Sequence, residues 1–306
     1  MNLQRLAHVE LRVEDLDAAV EFYGRVLGLV EVNRDGDTAY LSGRASAGWD
    51  LALSTGGQGL DHFAFVAESE ADVAGARESL TAAGVTVRPL PEDDNSGARD
   101  GIRFTIRSGH EMELVVLGDP VVYLGGTRVL PVGPGGIAPL PLDHITLMTS
   151  DLDETVDFLT SVLGFRCTEL LEGDDGVRFG AFLRTRDQHH DLAYFRCAPE
   201  LSPQINHVAF RVGSIEDLRR AADIAVGLGW ELDCSPGRHV AGNNLFLYIK
   251  DPSGNRTELS GDLAHIEVGA PTRVLRPDEH RFDMWGQPVT DKVLTGTQGA
   301  PAPVSR

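Results

Sequence analysis

The fold of this chain is decided by a histidine-centred stretch, Asp143-His144-Ile145-Thr146-Leu147, which repeats Ala7-His8-Val9-Glu10-Leu11 at an offset of 136 residues. The same offset carries the Val-Leu-Gly of residues 26–28 onto residues 162–164. A second pair of stretches, residues 60–65 and 205–210, matches around its own histidine at an offset of 145 residues. Identities held in fixed register indicate an internal duplication, and a repeat of this kind determines the architecture of the whole chain.

Each repeated unit shows the same order of local patterns. Alternating apolar residues predict a strand, after which Asp15 or Asp151 marks the N-terminus of a helix. Apolar residues then recur at helical spacing up to Gly28 or Gly164, which end the helices as C-cap glycines. Further strands are predicted at 38–41, 50–54, 179–184 and 192–195. The chain is therefore predicted to be α+β, with two tandem domains, each of two βαβββ modules that form a curved, barrel-like mixed sheet with outer helices.

A Gly/Pro-rich stretch at residues 132–139 separates the two halves, and this composition is typical of a linker. The tail lacks the repeat, and its end from Gly296 is expected to be loosely held. The predicted boundaries are 1–130 for the N-terminal domain, 131–140 for the linker, 141–263 for the C-terminal domain and 264–306 for the tail.

Composition excludes several classes of partner. The chain has 27 Lys and Arg against 46 Asp and Glu, and this net charge of −19 would repel nucleic-acid phosphates and anionic membrane surfaces. No apolar run reaches the roughly 18–20 residues of a membrane span. Three cysteines in 306 residues fit reduced thiols better than a disulfide framework, so a cytoplasmic location is expected.

Histidines at equivalent strands are candidate metal ligands. His144 and His207 lie on the first predicted strands of consecutive units, and Glu258 lies on the last strand of the second unit. If these units pair into one curved sheet, the three side chains meet near its centre. Two imidazoles and one carboxylate form the triad of non-haem Fe(II) sites, which leaves coordination positions open for a substrate and O₂. The alternative is that all three are structural residues on strands.

Several segments around these residues resemble one enzyme family. They are 188–195 (Gln-His-His-Asp-Leu-Ala-Tyr-Phe), 206–210 (Asn-His-Val-Ala-Phe), 237–239 (Gly-Arg-His), 247–258 (from Leu-Tyr-Ile-Lys-Asp-Pro-Ser-Gly to Glu) and, in the tail, 283–289. In these segments the chain resembles the type I extradiol catechol dioxygenases of the vicinal oxygen chelate superfamily. The resemblance extends end to end, as a two-domain enzyme.

The resemblance implies an active metal in the C-terminal domain, usually Fe(II) and occasionally Mn(II), with a catechol as substrate and O₂ as co-substrate. Carried over position by position, the metal ligands are His144, His207 and Glu258. It also implies a homo-oligomer, commonly a tetramer.

The family's catalytic groups correspond to His190, His239 and Tyr248. A catechol loses protons as it binds and dioxygen gains one, and a histidine of near-neutral pKa can serve both transfers. We assign this role to His190 rather than to its neighbour His189. Tyr248 and His239 are expected to hydrogen-bond substrate oxygens; the alternatives are an aromatic core residue and a solvated loop histidine.

The N-terminal half keeps the equivalent trio His8, His62 and Glu113, although family members commonly retain only a degenerate, metal-free site there. Arg103 stands ten residues before the glutamate, where the second half has Tyr248. No His-His-Asp segment lies between the two histidines. We therefore predict a vestigial site that lacks acid/base groups; a second functional metal centre is the alternative.

Substrate contacts are also implied by the resemblance. Relatives that cleave carboxylated catechols use arginines near the pocket to hold the carboxylate. Here Cys234 occupies one such position, and Arg281 is followed by Phe282 rather than by a second arginine. Phe182 falls where relatives carry a bulky pocket aromatic, and Thr146 falls where some have an asparagine. These differences favour a neutral catechol with an alkyl or aryl substituent. A carboxylated substrate remains an alternative, because three arginines of the tail could reach its carboxylate: Arg273, Arg276 and Arg281.

Other activities of the superfamily are alternatives. Glyoxalase-like isomerases and thiol transferases use Zn(II), Ni(II) or Mn(II) with a different ligand set, usually between paired units. Ligand-sequestering proteins of this fold are generally short, single-repeat chains without a ligand triad. A hydroxyphenylpyruvate-type dioxygenase would carry a characteristic C-terminal segment that is not evident here.

Overall fold

Four βαβββ units follow one another along the chain, so the predicted α+β class and its internal repeat are confirmed. The computed structural model describes residues 1–43, 48–90, 96–118, 135–286 and 295–298. The end of the predicted N-terminal domain and the first four linker residues, 131–134, lie outside the described residues. The domain boundaries therefore stay predictions.

The N-terminal half forms one eight-stranded sheet with two α-helices among the described residues. Its elements are β1 (Leu3–Val13), α1 (Leu16–Phe22), β2 (Val30–Asp35), β3 (Thr38–Ser42), β4 (Leu51–Thr55), β5 (Gly59–Ala67), α2 (Glu70–Ala82), β6 (Val87–Pro89), β7 (Ala98–Thr105) and β8 (Glu111–Leu117). The strand order is β2-β3-β4-β1-β5-β8-β7-β6. Two modules thus meet at the antiparallel pair β1 and β5.

The C-terminal half repeats this arrangement. Its elements are β9 (Leu142–Thr149), α3 (Leu152–Ser161), β10 (Arg166–Glu172), β11 (Arg178–Arg184), β12 (Leu192–Arg196), β13 (Gln204–Arg211), α4 (Ile215–Gly227), β14 (Leu232–Arg238), β15 (Leu245–Lys250) and β16 (Arg256–Gly261). The strand order β14-β15-β16-β13-β9-β12-β11-β10 again joins two modules at the antiparallel pair β13 and β9. In every module the first strand runs parallel to the last.

The tail is bound to the C-terminal sheet. Strand β17 (Arg273–Leu275) pairs parallel with β10, and β18 (Thr297–Gln298) pairs antiparallel with β13. The expectation of a loose end is therefore wrong for residues 296–298, and residues 299–306 lie outside the described residues. Gly296 permits this docking, because a β-carbon there would lie only 2.8 Å from the sulfur of Met148.

The predicted helix signals hold with two refinements. The Asp15 side chain accepts a hydrogen bond of 3.0 Å from the backbone three residues on, as an N-cap does. Helix α1 continues as a π-helical turn over Tyr23–Leu27 and ends at Gly28, whose φ is +83°. A β-carbon on Gly28 would lie 2.5 Å from the carbonyl oxygen of Gly135, so glycine lets the linker pack there. Asp151 precedes α3 but makes no side-chain capping bond.

The helices pack against the sheets through one apolar stripe each. In α4 the buried residues are Leu218, Ala221 and Ala225, which share one helix face. The two halves also share buried contacts: the rings of Phe65 and Phe165 lie edge to face with centroids 5.1 Å apart. Among the described residues, no helix combines the length and the apolar character that crossing a membrane requires.

Candidate metal centre and active site

Strand register places the three predicted ligands on one face of the C-terminal sheet. Strand β13 lies between β9 and β16, and its Ala209 is the register partner of both His144 and Glu258. His207 is two residues from Ala209 on β13, so its side chain points to the same face. The small side chain of Ala209 leaves the space into which the three longer side chains converge.

The converging atoms form a small triangle. Nε2 of His144 is 3.2 Å from Nε2 of His207 and 3.1 Å from Oε2 of Glu258. Nε2 of His207 lies 2.9 Å from the same oxygen, and all three side chains are buried. First-row divalent ions bind such atoms at about 2.1 Å, so adjacent ligand atoms are then about 3 Å apart. The residues present therefore fit a single divalent ion.

Both histidines are oriented by the residue immediately before them. Nδ1 of His144 lies 3.3 Å from Oδ2 of Asp143, whose other oxygen accepts two hydrogen bonds from Arg211 at 2.8 and 3.0 Å. Nδ1 of His207 lies 2.8 Å from Oδ1 of Asn206. These acceptors favour a proton on Nδ1 and leave Nε2 as the ligand atom. Neither partner was predicted from the sequence, although a polar residue directly before each histidine is a usable signal.

Glu258 has an orienting partner of its own. Nδ2 of Asn244 donates to Oε1 of Glu258 at 3.0 Å and to the hydroxyl of Ser260 at 3.1 Å. The other carboxylate oxygen is thereby left to face the histidines. Asn244 lies in the loop before β15 and also lines the cavity described below, and nothing in the repeat pattern pointed to it.

The charges of the cluster favour a cation. Burial acts to raise the pKa of Glu258, but His144 and His207 outweigh burial and hold this pKa far below its usual range. Burial is likewise outweighed at His144, where Glu258 and Asp143 raise the pKa to about 9. At His207 burial dominates and lowers the pKa to about 4. An ionised carboxylate thus faces the point where the two imidazoles meet.

His190 lies directly against this cluster. Its ring centroid is 4.3 Å from that of His144, and its side chain is buried and lines the cavity. Burial above all, and then the charge of His144, lowers its pKa well below 6.5, so the imidazole is neutral and can accept a proton. Its neighbour His189 is directed away, with Nε2 3.2 Å from Glu169.

His239 and Tyr248 form a hydrogen-bonded pair on the cavity wall. Nδ1 of His239 donates to the carbonyl oxygen of Phe282 at 2.8 Å, since a carbonyl can only accept. Nε2 of His239 therefore accepts from the Tyr248 hydroxyl at 2.9 Å. Tyr248 on β15 is the register partner of Glu258 on β16 and shares its face. Burial raises the pKa of Tyr248 well above 10, so the phenol stays protonated.

The His144–His207–Glu258 cluster and these three residues border one cavity of about 270 Å³. The rest of its wall is largely apolar and aromatic. The apolar lining residues are Met148, Phe179, Phe182, Phe195, Ala241 and Phe282. Of these, only Phe182 was predicted from the sequence as a pocket residue.

One arginine, Arg196, also borders the cavity, and its guanidinium is already engaged by the protein. It donates to the carbonyl oxygens of Arg178 and Ser150 at 2.8 Å each and to Oδ2 of Asp153 at 2.7 Å. Each of its three nitrogens thus has an acceptor, and its charge is paired. Arg196 therefore offers little to a substrate carboxylate.

The predicted substrate contacts divide into two groups. Thr146 and Phe182 line the cavity, whereas Cys234 and Arg281 are not among its lining residues. Cys234 lies half-buried on β14, and Arg281 is exposed. The tail instead reaches the cavity through the residues on either side of Arg281: His280 and Phe282.

The other two tail arginines pair with carboxylates of β10. Arg273 lies 3.6 Å from Glu169, and Arg276 lies 2.6 Å from Glu172. Both arginines are largely exposed, and neither lines the cavity. The described contacts therefore give no support to the alternative that these arginines bind a substrate carboxylate.

The N-terminal trio is also brought together. Nε2 of His8 is 3.1 Å and Nε2 of His62 is 3.7 Å from Oε2 of Glu113, and the three side chains are buried. Arg103 donates to the other oxygen of Glu113 at 2.6 Å. The two halves therefore contain equivalent clusters with different neighbours.

Residues 5–114 and 141–259 each match the family model described as the Glyoxalase/Bleomycin resistance protein/Dioxygenase superfamily. The chain belongs to this superfamily. The two matched ranges correspond to the two sheets, and the predicted family resemblance and two-domain architecture are thereby confirmed.

Relatives within this superfamily cover most of the chain. A metapyrocatechase of Pseudomonas sp. (strain CF600) is 31% identical over 267 residues, which cover 84% of this chain and 85% of the relative. A manganese-dependent 2,3-dihydroxybiphenyl 1,2-dioxygenase of Geobacillus genomosp. 3 is 30% identical, covering 84% of each chain. The solved structure of the 2,3-dioxygenase LapB from Pseudomonas sp. KL28 has a TM-score of 0.83 at 28% identity, covering 91% of this chain and 99% of LapB.

Proposed function

We propose that this protein is an Fe(II)-dependent extradiol dioxygenase that cleaves a catechol bearing an apolar substituent and no carboxylate. The class of enzyme is that of the relatives described above, of which two are dioxygenases by name and one is named a metapyrocatechase. The observation that carries the proposal is the His144–His207–Glu258 triangle at the base of a largely apolar cavity.

His144, His207 and Glu258 would hold the ion, with Fe(II) preferred over Mn(II). An ion bound there would bind the catechol oxygens and activate O₂, both atoms of which enter the ring-opened product. These three side chains are buried, and hydrogen bonds at the Nδ1 atoms of the histidines and at Oε1 of the glutamate keep the ligand atoms fixed.

His190 is assigned as the group that accepts a proton from the catechol. It is neutral and buried, and it lies against His144 at the edge of the cavity. The Tyr248 hydroxyl and His239 would position a substrate oxygen through their shared hydrogen bond of 2.9 Å. The apolar walls exclude water, which strengthens each of these polar contacts.

Glu169 is assigned as the residue that orients His190, acting through His189. Nε2 of His189 lies 3.2 Å from the Glu169 carboxylate; the two atoms are not aligned for a hydrogen bond, but the negative charge favours a ring proton on Nε2. Nδ1 of His189 then accepts from Nδ1 of His190 at 2.9 Å, which leaves Nε2 of His190 without a proton. Glu169 thereby prepares the ring nitrogen that accepts the catechol proton.

Replacing Glu169 by glutamine is expected to lower kcat about 10-fold, less than the roughly 10²–10⁴-fold that loss of the base itself would cost, with KM and metal content unchanged. The loss arises because the uncharged amide no longer fixes the tautomer of His189. The matched control is Glu172→Gln on the same strand, whose partner is the exposed Arg276. Steady-state kinetics and metal analysis measure the difference; equal kcat values in the two variants would remove Glu169 from this role.

The substrate preference follows from the cavity wall. Phe179, Phe182 and Phe195 offer aromatic surface, and the charge of Arg196 is paired with Asp153. Each methylene buried there contributes about 0.8 kcal/mol. A carboxylate in the same place would lose its hydration without gaining a free cation.

A pair of catechols with side chains of equal length, one alkyl and one ending in a carboxylate, tests this preference. We expect kcat/KM to be at least about 10-fold higher for the alkylcatechol, which corresponds to 1.4 kcal/mol or more. The enzyme is purified without oxygen, loaded with Fe(II) or Mn(II), and followed by O₂ uptake and the yellow ring-fission product. Better cleavage of the carboxylated partner would overturn the substrate assignment, and no turnover of any catechol by metal-loaded enzyme would overturn the function.

A further inference from the structure

The N-terminal half contains a second His-His-Glu cluster built by the same strand register. Ala64 on β5 is the partner of both His8 on β1 and Glu113 on β8, as Ala209 is for the equivalent pair in the C-terminal sheet. His62 is two residues from Ala64 and so shares its face. The ligand types and their arrangement are therefore duplicated along with the fold.

This cluster has the features of a divalent metal site. Its three potential ligand atoms lie within 4.8 Å of one another, and all three side chains are buried. Nδ1 of His62 is 2.9 Å from the carboxylate of Asp61, the residue before it, as an outer partner of a ligand histidine would be. Two imidazoles and a carboxylate suit first-row ions such as Fe(II), Co(II) and Zn(II).

Arg103 distinguishes the N-terminal cluster from the C-terminal one. On β7 it is the register partner of Glu113, which is the position that Tyr248 occupies opposite Glu258. Its Nε donates to Oε1 of Glu113 at 2.6 Å, and its Nη2 lies 3.4 Å from both ring nitrogens of His62. The guanidinium therefore contacts two of the three potential ligands.

A guanidinium in this position performs the electrostatic task of a metal ion. The Glu113 side chain is fully buried, and a buried carboxylate requires a positive partner. The two carboxylate oxygens of Glu113 lie 3.1 Å from Nε2 of His8 and 2.6 Å from Nε of Arg103, so the guanidinium is a direct partner of this buried charge. A fixed positive charge against the ligands also repels an incoming divalent ion.

We propose that Arg103 is a built-in cation that replaces a metal ion in the N-terminal cluster, and that removing its charge creates a second site for a first-row divalent ion. The native chain then takes up one ion, at His144, His207 and Glu258. An Arg103→Met chain takes up two.

The test counts ions in the full-length chain. Metal-free proteins are dialysed against Co(II), and bound metal is measured by elemental analysis and by the visible absorption of the ion. We expect one ion per native chain and two per Arg103→Met chain. With Glu258→Ala added, we expect no ion in the chain that keeps Arg103 and one ion in the chain with Arg103→Met. Adding Glu113→Gln to that Arg103→Met, Glu258→Ala chain should return the count to zero.

Thermal unfolding supplies a second readout. Without metal, Arg103→Met leaves Glu113 without its cation, so its Tm should lie below that of the native chain. Co(II) should raise the Tm of Arg103→Met in the Glu258→Ala background, because an ion that binds the folded state stabilises it. The Glu258→Ala chain that keeps Arg103 should show no such rise.

Two results would overturn the proposal. One is a folded Arg103→Met chain that binds no more metal than the native chain. The other is a Glu258→Ala chain that keeps Arg103, binds one ion, and no longer binds it when Glu113 is also replaced by glutamine. If the methionine variant aggregates, Arg103→Gln gives the same two outcomes with a side chain closer in shape. Because the readouts are metal count and Tm, they are independent of ring cleavage.

Discussion

Replacing Glu258 by alanine is expected to abolish both metal binding at the C-terminal cluster and catechol cleavage. Its Oε2 atom lies 2.9 Å from His207 and 3.1 Å from His144, and it supplies the negative charge of the triangle. Loss of a direct ligand should weaken metal binding by more than the roughly 10–100-fold that an outer partner costs. Elemental analysis and O₂ uptake with an alkylcatechol measure the two losses.

The duplication provides a matched control. Glu113 holds the same register position in the N-terminal sheet, so Glu113→Ala makes the same chemical change in the same local geometry. We expect its metal content and turnover to match the native chain, while its Tm falls because Arg103 loses a buried partner. If Glu258→Ala kept its metal and Glu113→Ala lost it, the active site would lie in the N-terminal half, and the assignment to the C-terminal half would be wrong.

The ligand cluster could be predicted from the sequence because the duplication marks it. His144 and His207 occur at equivalent positions of consecutive units, and residues at equivalent positions of paired strands lie near one another in a sheet. Glu258 follows from the parallel pairing of β16 with β13, which every module repeats. Helix ends followed from local signals, such as the Asp15 cap and the positive φ of Gly28.

The residues that surround the cluster could not be predicted in this way, because they come from loops and from the tail. Asn244 reaches Glu258 from a loop, and the position equivalent to it at the offset of 145 residues is Arg99, so no shared residue marks it. In the tail, side chains of successive residues point in different directions, so an error of one position exchanges a cavity residue for an exposed one. Arg281 was predicted as a substrate contact, whereas His280 and Phe282 line the cavity.

Arg103 is a difference between the two halves whose meaning is only partly visible in the sequence. Its presence where the second half has Tyr248 suggested that the N-terminal site lacks the catalytic groups. That the guanidinium contacts both Glu113 and His62 depends on the conformation of a long, flexible side chain. The difference between the halves is therefore visible in the sequence, whereas its electrostatic consequence depends on the folded structure.

The second large effect is expected at His190. Its replacement by glutamine removes the group that accepts the catechol proton, so kcat should fall by about 10²–10⁴, the usual contribution of a general base. KM and metal content should change little, because His190 is not a ligand and the apolar wall remains. Single-turnover kinetics with Fe(II)-loaded enzyme measure the loss, and native-like kcat in His190→Gln would remove His190 from the mechanism.

A variant of the neighbouring His189 distinguishes a residue that contacts the substrate from one that only orients His190. His189→Gln should cost only about 10-fold, because His189 acts through its hydrogen bond of 2.9 Å to His190. If it acts only in that way, the double variant should be no slower than His190→Gln alone, since the supported group is already absent. Additive losses would instead mean that His189 contributes independently, and the Glu169–His189–His190 connection would then be structural.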